Sequence, residues 1–208
     1  MTAIVFDLDG TLVDSFDDIS AAFRRSFHVI GSEPPPTDVV RTLIGKPLAD
    51  MYAPYAPAGA IEYLIAEYRR DYSERCAERT QPFPGIVDLL DALRGRGHAL
   101  AVATTKTTWM ARTVLGRLNL EDRLDHVQGT DGFAHKPAPD VITHALAAVG
   151  RPGAWMIGDA VSDVAAGRAA GLRTCAVTWG VHSEERLRGA EPDVVVTTVD
   201  QLHALLLE

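Results

Sequence analysis

Asp7 and Asp9 stand one residue apart, directly after the apolar run Ala3-Ile4-Val5-Phe6 and just ahead of Gly10. Two carboxylates so placed suit a hard cation such as Mg²⁺, which takes oxygen ligands and keeps company with phosphate. An aspartate can also attack phosphorus and carry it as an aspartyl-phosphate. Three further polar sets share this setting. They are Thr104-Thr105-Lys106 after the run His98–Ala103, Lys136 in His135-Lys136-Pro137-Ala138-Pro139-Asp140, and Asp159 with Asp163 in Gly158-Asp159-Ala160-Val161-Ser162-Asp163. Each has an ordinary reading when taken alone. Asp7 and Asp9 read as solvated loop acids, Thr104 as a helix cap, Lys136 as a surface lysine, and Asp159 and Asp163 as acids favouring a helix N-terminus. Four such sets, all where apolar runs end or helices begin, are hard to reconcile with coincidence.

The elements that must position them follow from periodicity. Ala3–Phe6 and His98–Thr104 are continuous apolar runs, the pattern of strands buried on both faces. Shorter strands are expected at Asp125–Gln128, Ala154–Ile157, Thr174–Val177 and Val194–Val196, with helices between them and a last helix opened by a capping box of Thr198 and Gln201. This alternation predicts an α/β fold with a doubly wound parallel sheet. In such sheets the carboxyl ends of neighbouring strands share one edge, where ligands bind and where helix N-termini offer free N–H groups to anions. Asp7, Thr104 and Asp159 should therefore converge.

From about Ser15 to about Thr80 the chain reads as helix alone. Phe16, Ile19, Phe23, Phe27 and Ile30 recur at helical spacing, as do Ile61, Leu64, Ile65, Tyr68 and Tyr72. Pro34-Pro35-Pro36 interrupts them, and Thr37 is expected to cap a short helix through Leu43. Such a stretch is too long for a crossover. It predicts a small helical cap domain over residues 15–80, with 1–14 and 81–208 forming the core, and Pro82-Phe83-Pro84-Gly85 marking the return.

The 208 residues are 47% hydrophobic and 23% charged, enough to bury a real core. A formal net charge of −8 argues against general nucleic-acid binding. It also means that a phosphate site must draw positive charge from a metal, a lysine and helix N-termini. Cys76 and Cys175 lie far apart, without metal-ligand spacing, which fits a reducing compartment. The first apolar stretch is too short for a secretory signal, and no run approaches a membrane span. A cytoplasmic monomer or homodimer acting on a small molecule is the expectation, with no nucleic-acid or membrane partner.

The order and wording of the four sets resemble the haloacid dehalogenase (HAD) superfamily of phosphatases, and within it the phosphoglycolate phosphatase-like group. Phe6-Asp7-Leu8-Asp9-Gly10-Thr11-Leu12-Val13-Asp14-Ser15 is similar to the first motif of that superfamily. Thr104 corresponds to the second, Lys136-Pro-x-Pro to the third and the Gly158–Asp163 stretch to the fourth. The resemblance spans the whole chain and implies a Rossmann-like core with a small helical cap. It implies a phosphatase in which Asp7 takes the phosphoryl group and Asp9 protonates the leaving oxygen, then activates water. Thr104 would bind phosphoryl oxygens, with Gly10 and Thr105 beside it, and Lys136 would neutralise charge. Mg²⁺ would be held by Asp7, the backbone carbonyl of Asp9, and Asp159, with Asp163 orienting Lys136 or metal-bound water. An aspartate in water has a pKa of about 3.9, which leaves Asp7 ionised and ready at neutral pH. Two departures stand out: Thr105 where the superfamily often has Asn, and Ala160 where it often has Thr.

Substrate choice should lie in the cap. Lys46, in Gly45-Lys46-Pro47, is a candidate partner for a substrate carboxylate or second phosphate, or else a solvated loop lysine. Arg24, Arg41 and Arg69 read as surface cations, and Tyr68 and Tyr72 as core. His135 and Trp179 are candidates for the rim of the site, each with a surface or core-covering alternative. Two other functions stay open here. A phosphosugar mutase of the same superfamily would use the same aspartyl-phosphate but shield it from water. A phospho-acceptor signalling domain would use the same residue types, without needing an insertion after its first strand. Asp9 argues against dehalogenase activity, which lacks the second acid.

Overall fold

The computed structural model describes residues 1–207. The chain begins with β1 (Ala3–Phe6), β2 (Val13–Asp14), α1 (Phe16–Val29), α2 (Thr37–Leu43), α3 (Leu48–Tyr52), α4 (Ile61–Arg75) and β3 (Gln81–Pro82). It continues through α5 (Ile86–Gly95), β4 (Ala99–Ala103), α6 (Thr108–Arg117), β5 (His126–Gln128), α7 (Asp140–Val149) and β6 (Gly153–Gly158). It closes with α8 (Val161–Ala169), β7 (Arg173–Val177), α9 (Glu184–Gly189), β8 (Val194–Val196) and α10 (Val199–Leu207). No described helix is long and apolar enough to cross a membrane.

Six strands form one parallel sheet in the order β5-β4-β1-β6-β7-β8. Every residue of β1 and β4 is buried, as expected for central parallel strands with helices on both faces. Alternate residues of β1 serve opposite layers. Ile4 and Phe6 pack with Leu89, Leu90 and Val102, whereas Val5 packs with Ile142 and Met156. After β1 the chain builds outward through β4 and β5, then returns to the other flank of β1 with β6. The order reverses there, which opens a crevice at the carboxyl ends of these strands.

Helices α1 to α4 surround their own apolar cluster, with Phe23, Phe27, Tyr52, Leu64, Tyr68 and Tyr72 at its centre. Phe23 stacks on Tyr52 with ring centroids 4.4 Å apart. The cluster extends to Met110 and Val114 of α6, so this helical block rests on a helix of the sheet layer. The two chain crossings into the block are tied together. Val13 pairs with Pro82 and Asp14 with Gln81 in a short antiparallel ribbon. Beside it, buried Asp18 accepts the N–H groups of Arg79 (3.0 Å) and Thr80 (2.8 Å) and the Thr80 hydroxyl (2.7 Å).

Local details differ from the sequence reading. Thr37 is the first residue of α2 and does not cap it; its Oγ1 instead accepts from Arg24 at 3.0 Å, and Pro36 occupies the cap position. The capping pair before α10 is offset. Thr198 Oγ1 accepts the Gln201 N–H at 3.2 Å, but Gln201 Oε1 accepts from the N–H of Thr197 at 2.8 Å. Both α3 and α9 are too short to announce themselves by periodicity, and two-residue β2 and β3 carry no strand pattern.

Asp18→Ala removes the acceptor shared by three donors. Hydrogen bonds to a charged group contribute about 1.5–3 kcal/mol each, and only part of that is recovered by water. The expected result is a fall of about 2–3 kcal/mol in unfolding free energy by urea titration. A change no larger than that of an exposed-site control would show that the clasp contributes nothing.

Candidate active site

The carboxyl end of β1 delivers Asp7 into the crevice, where its Oδ1 accepts from Lys136 Nζ at 2.7 Å. Lys136 leads into α7 and is 5% exposed. Its ammonium also donates to Asp163 Oδ1 at 2.6 Å and to the Ala103 carbonyl at 3.0 Å. One buried lysine thus joins the ends of β1 and β4 to the first turn of α8. Asp163 is fixed from its other side, Oδ2 accepting the Ala160 N–H at the start of α8 at 2.9 Å. Asp159 follows β6; its Oδ1 accepts the Thr11 hydroxyl at 2.9 Å and its Oδ2 the Val181 N–H at 2.7 Å. Two glycines make room for it. Gly10 has φ +82°, and a side chain on Gly10 or Gly180 would overlap the Asp159 carboxylate.

Carboxylate oxygens of Asp7, Asp159 and Asp163 lie within 4.8 Å of one another, and all three residues are buried. A single ammonium serves them. Burial pushes Asp7 up from 3.8 to about 7, against the pull of Lys136 and with a further push from Asp163. Burial likewise raises Asp159 to about 8, helped by Asp7 and Asp163 and opposed by its bonds from Val181 and Thr11. Burial alone would lower Lys136, but Asp163 and Asp7 outweigh it and hold the lysine above its usual range. Burial beside other acids thus opposes ionisation of Asp7 in the cation-free site, and a bound cation would act the other way. The cluster lacks positive charge, and its donors are hard oxygens. Both facts fit a divalent cation. Asp7, whose Oδ2 accepts from no described residue, and Asp159, whose partners are a hydroxyl and an amide and not an ammonium, are the residues that would hold it; Asp163 already gives one oxygen to Lys136 and the other to the Ala160 N–H.

Asp9 occupies the other side of the crevice. Ser15 Oγ donates to its Oδ1 at 2.5 Å and Lys106 Nζ to its Oδ2 at 2.6 Å. Lys106 lies over the Tyr72 ring, 4.9 Å from its centroid. A narrow slot is lined by Asp7, Lys136, Asp159, Ser162 and Asp163. Next to it a cavity of about 270 Å³ opens between the helical block and the sheet edge. Asp9, Ile44 and Gly45 line both, so Asp9 stands at their junction.

Asp7, Asp9, Lys136, Asp159 and Asp163 are therefore brought together. Thr104 is buried beneath them, its Oγ1 accepting the Lys106 N–H at 3.3 Å, and it lines neither space. Thr105, Lys46 and His135 line the larger cavity. Arg69 lines it too, contrary to its reading as a plain surface residue, whereas Arg24 bonds to Pro35 and Thr37 and Arg41 covers the Phe16 ring. Gly10 acts on Asp159 by leaving space. Trp179 packs edge-on to Phe83 and donates to the Thr11 carbonyl at 3.2 Å, covering the core. Sequence reasoning gave no role to Lys106, Ser15 or Thr11, although each lies within a motif that it singled out.

The chain is similar to known proteins over nearly its whole length. The family described as haloacid dehalogenase-like hydrolase matches residues 4–177. The chain is 33% identical to "Probable phosphatase IndB" of Dickeya dadantii, covering 98% of this chain and 94% of that protein. It is 31% identical to a phosphoglycolate phosphatase of Aquifex aeolicus, covering 99% and 97%. It is 35% identical to the tyrosine-protein kinase PtkA of Mycobacterium tuberculosis, covering 98% of this chain and 72% of that protein. Among solved structures, a haloacid dehalogenase-like family hydrolase from Streptococcus pneumoniae superposes with a TM-score of 0.90 at 32% identity, over 99% and 98% of the two chains.

Between their ordinary value of 3.8 and the folded values of about 7 and about 8, Asp7 and Asp159 bind more protons in the folded cation-free protein than in the unfolded chain. Their contribution to stability therefore falls as pH rises across that window. A cation that displaces those protons restores what is lost. The rise in Tm produced by saturating Mg²⁺ should thus grow from pH 5 to pH 8, and Asp159→Asn should flatten it. A Mg²⁺-induced shift that ignores both pH and Asp159 would locate cation binding elsewhere.

Proposed function

The chain belongs to the haloacid dehalogenase-like hydrolases, and on that premise we propose that it is a Mg²⁺-dependent phosphatase hydrolysing a small phosphomonoester through an aspartyl-phosphate on Asp7. The observation that carries this reading is the position of Asp9 at the junction of the acid-lined slot and the larger cavity. The phosphoryl group occupies the slot and the alcohol the cavity, so the bond between them passes Asp9.

Asp7 Oδ1 is held by Lys136, while no hydrogen bond from a described residue engages Oδ2. Oδ2 attacks phosphorus as the bond to the leaving oxygen breaks, and Asp9 gives that oxygen its proton. Water then attacks the aspartyl-phosphate. Asp9 takes a proton from it, the bond from Asp7 to phosphorus breaks, and phosphate departs. Lys136 offsets charge on Asp7 and on the phosphoryl oxygens, and Asp163 holds Lys136 in line. Thr104 accepts the Lys106 N–H and so fixes the turn that carries Lys106 to Asp9, with Gly10 and Thr105 beside the substrate. Asp7, Asp159 and the Asp9 carbonyl would hold Mg²⁺, which would supply the remaining positive charge that phosphoryl transfer requires. Residues 15–80 act as a cap that excludes water over a core of 1–14 and 81–208. A small phosphorylated metabolite in the cytoplasm suits a chain of net charge −8 better than nucleic acid does.

Phosphate release from phosphoglycolate, glucose 6-phosphate and phenyl phosphate, each with Mg²⁺, tests this reading. Asp7→Asn, folded by circular dichroism, should lower kcat by at least about 10³-fold, and EDTA should act likewise. A chain gaining one phosphoryl mass, stable and with no phosphate released, would move the assignment to the mutase or phospho-acceptor reading.

A further inference from the structure

The larger cavity has a composition that discriminates among leaving groups. One wall is apolar: Ile19, Ile44, Leu48, Met51, Ile65 and Met110. Three side-chain cations line it as well, Lys46, Arg69 and Lys106, against a single carboxylate, Asp9. Lys106 is committed to Asp9 at 2.6 Å. Lys46 and Arg69 pair with no carboxylate among the described residues. In a chain of formal net charge −8, two uncompensated cations at one cavity mark a place for an anion.

Size and hydrogen bonding disfavour two simpler occupants. A water's share of liquid volume is about 30 Å³, so a space of about 270 Å³ corresponds to roughly nine waters. A two-carbon hydroxy acid would leave more than half of that unfilled. A sugar would fill it but would need acceptors for its hydroxyl protons. The lining contains no Asn, Gln or Glu side chain, both oxygens of Asp9 already accept from Ser15 and Lys106, and the side-chain acceptors that remain are the hydroxyls of Tyr68, Thr105, Thr107 and Thr130 and the His135 ring. Sugar hydroxyls against the Ile, Leu and Met wall would lose water without replacement.

Resting on the phosphatase reading, we propose that the substrate is the phosphomonoester of an alcohol or phenol with an apolar body about the size of an aromatic ring and a second anionic group. The apolar body lies on the α1, α3, α4 and α6 wall, and the anion lies between Lys46 and Arg69 at the rim. The selectivity is thus for an acidic aryl or branched alkyl phosphate over phosphoglycolate or a hexose phosphate.

The test compares kcat/KM for phenyl phosphate, 4-carboxyphenyl phosphate, N-acetyl-O-phosphotyrosine, phosphoglycolate and glucose 6-phosphate. At least one carboxylated aryl ester should exceed both phenyl phosphate and phosphoglycolate by tenfold or more. The double variant Lys46→Gln, Arg69→Gln should lose at least tenfold more on that ester than on phenyl phosphate. Ile65→Asn should lose more on the aryl esters than on phosphoglycolate. A preference for phosphoglycolate or glucose 6-phosphate, or equal losses on every ester in the double variant, would overturn the proposal while leaving an Asp7-dependent phosphatase intact. No Asp7-dependent release from any of the five would overturn the underlying reading, and this proposal with it.

Discussion

One ammonium cannot neutralise three buried carboxylates, and much of this site is arranged around that imbalance. Lys136 touches Asp7 and Asp163 but not Asp159, which has only a hydroxyl and an amide for partners. Removing one member of such a buried ionic set typically costs about 3–5 kcal/mol, because the remaining charges lose their partner. Keeping the set leaves negative charge in excess, which is why Asp7 and Asp159 are both drawn toward neutrality when no cation is bound. Folding energy is thereby held in a form that cation binding can release. Gly10 and Gly180 belong to the same arrangement, since no other residue type lets the loops close so tightly on Asp159.

The sheet explains why these groups meet. Lys136 reaches Asp7 across 129 residues of sequence, and Thr11 reaches Asp159 across 148. Neither contact could form without β4, β1 and β6 lying side by side with their carboxyl ends on one edge. The helical block adds what the sheet lacks. Ile44 and Gly45 close the slot from above and also border the larger cavity, so one loop separates the two compartments. Asp18 and the β2–β3 ribbon tie together the two chain crossings into the block.

The four motifs were legible in the sequence because their physical causes are local. A buried parallel strand is a continuous apolar run, and the polar residues that end it must lie at the sheet edge. Ala3–Phe6 and Ala99–Ala103 both carry that signature, and Asp7 and Thr104 follow from it. Lys106 and Ser15 were named by their motifs yet given no role, since their roles depend on which neighbour each side chain meets. Their common partner, Asp9, lies 97 residues from one and six from the other. Thr104 illustrates the converse. Its type and place suggested direct contact with substrate, but its hydroxyl is turned beneath the slot to the Lys106 N–H. Arg69 lay one turn from Ile65 on a helix whose apolar stripe could be read, but nothing in that stripe says that its edge borders a cavity.

Charge is distributed against the average of the chain. A net −8 disfavours any anion at long range, yet repulsion of that kind is screened within about 8 Å at physiological ionic strength. What an incoming phosphate ester meets at contact is different: Lys46 and Arg69 at the rim, Lys106 within and Lys136 at the floor. These cations differ in how firmly they are held. Lys136 is locked by three acceptors and Lys106 by one, while Lys46 and Arg69 are exposed and lack carboxylate partners. The number of fixed partners therefore rises from the rim of the cavity to the floor of the slot, which suits a site whose inner groups must be held in place. An anion that reaches the cavity thus meets cations at contact, although the chain as a whole is acidic.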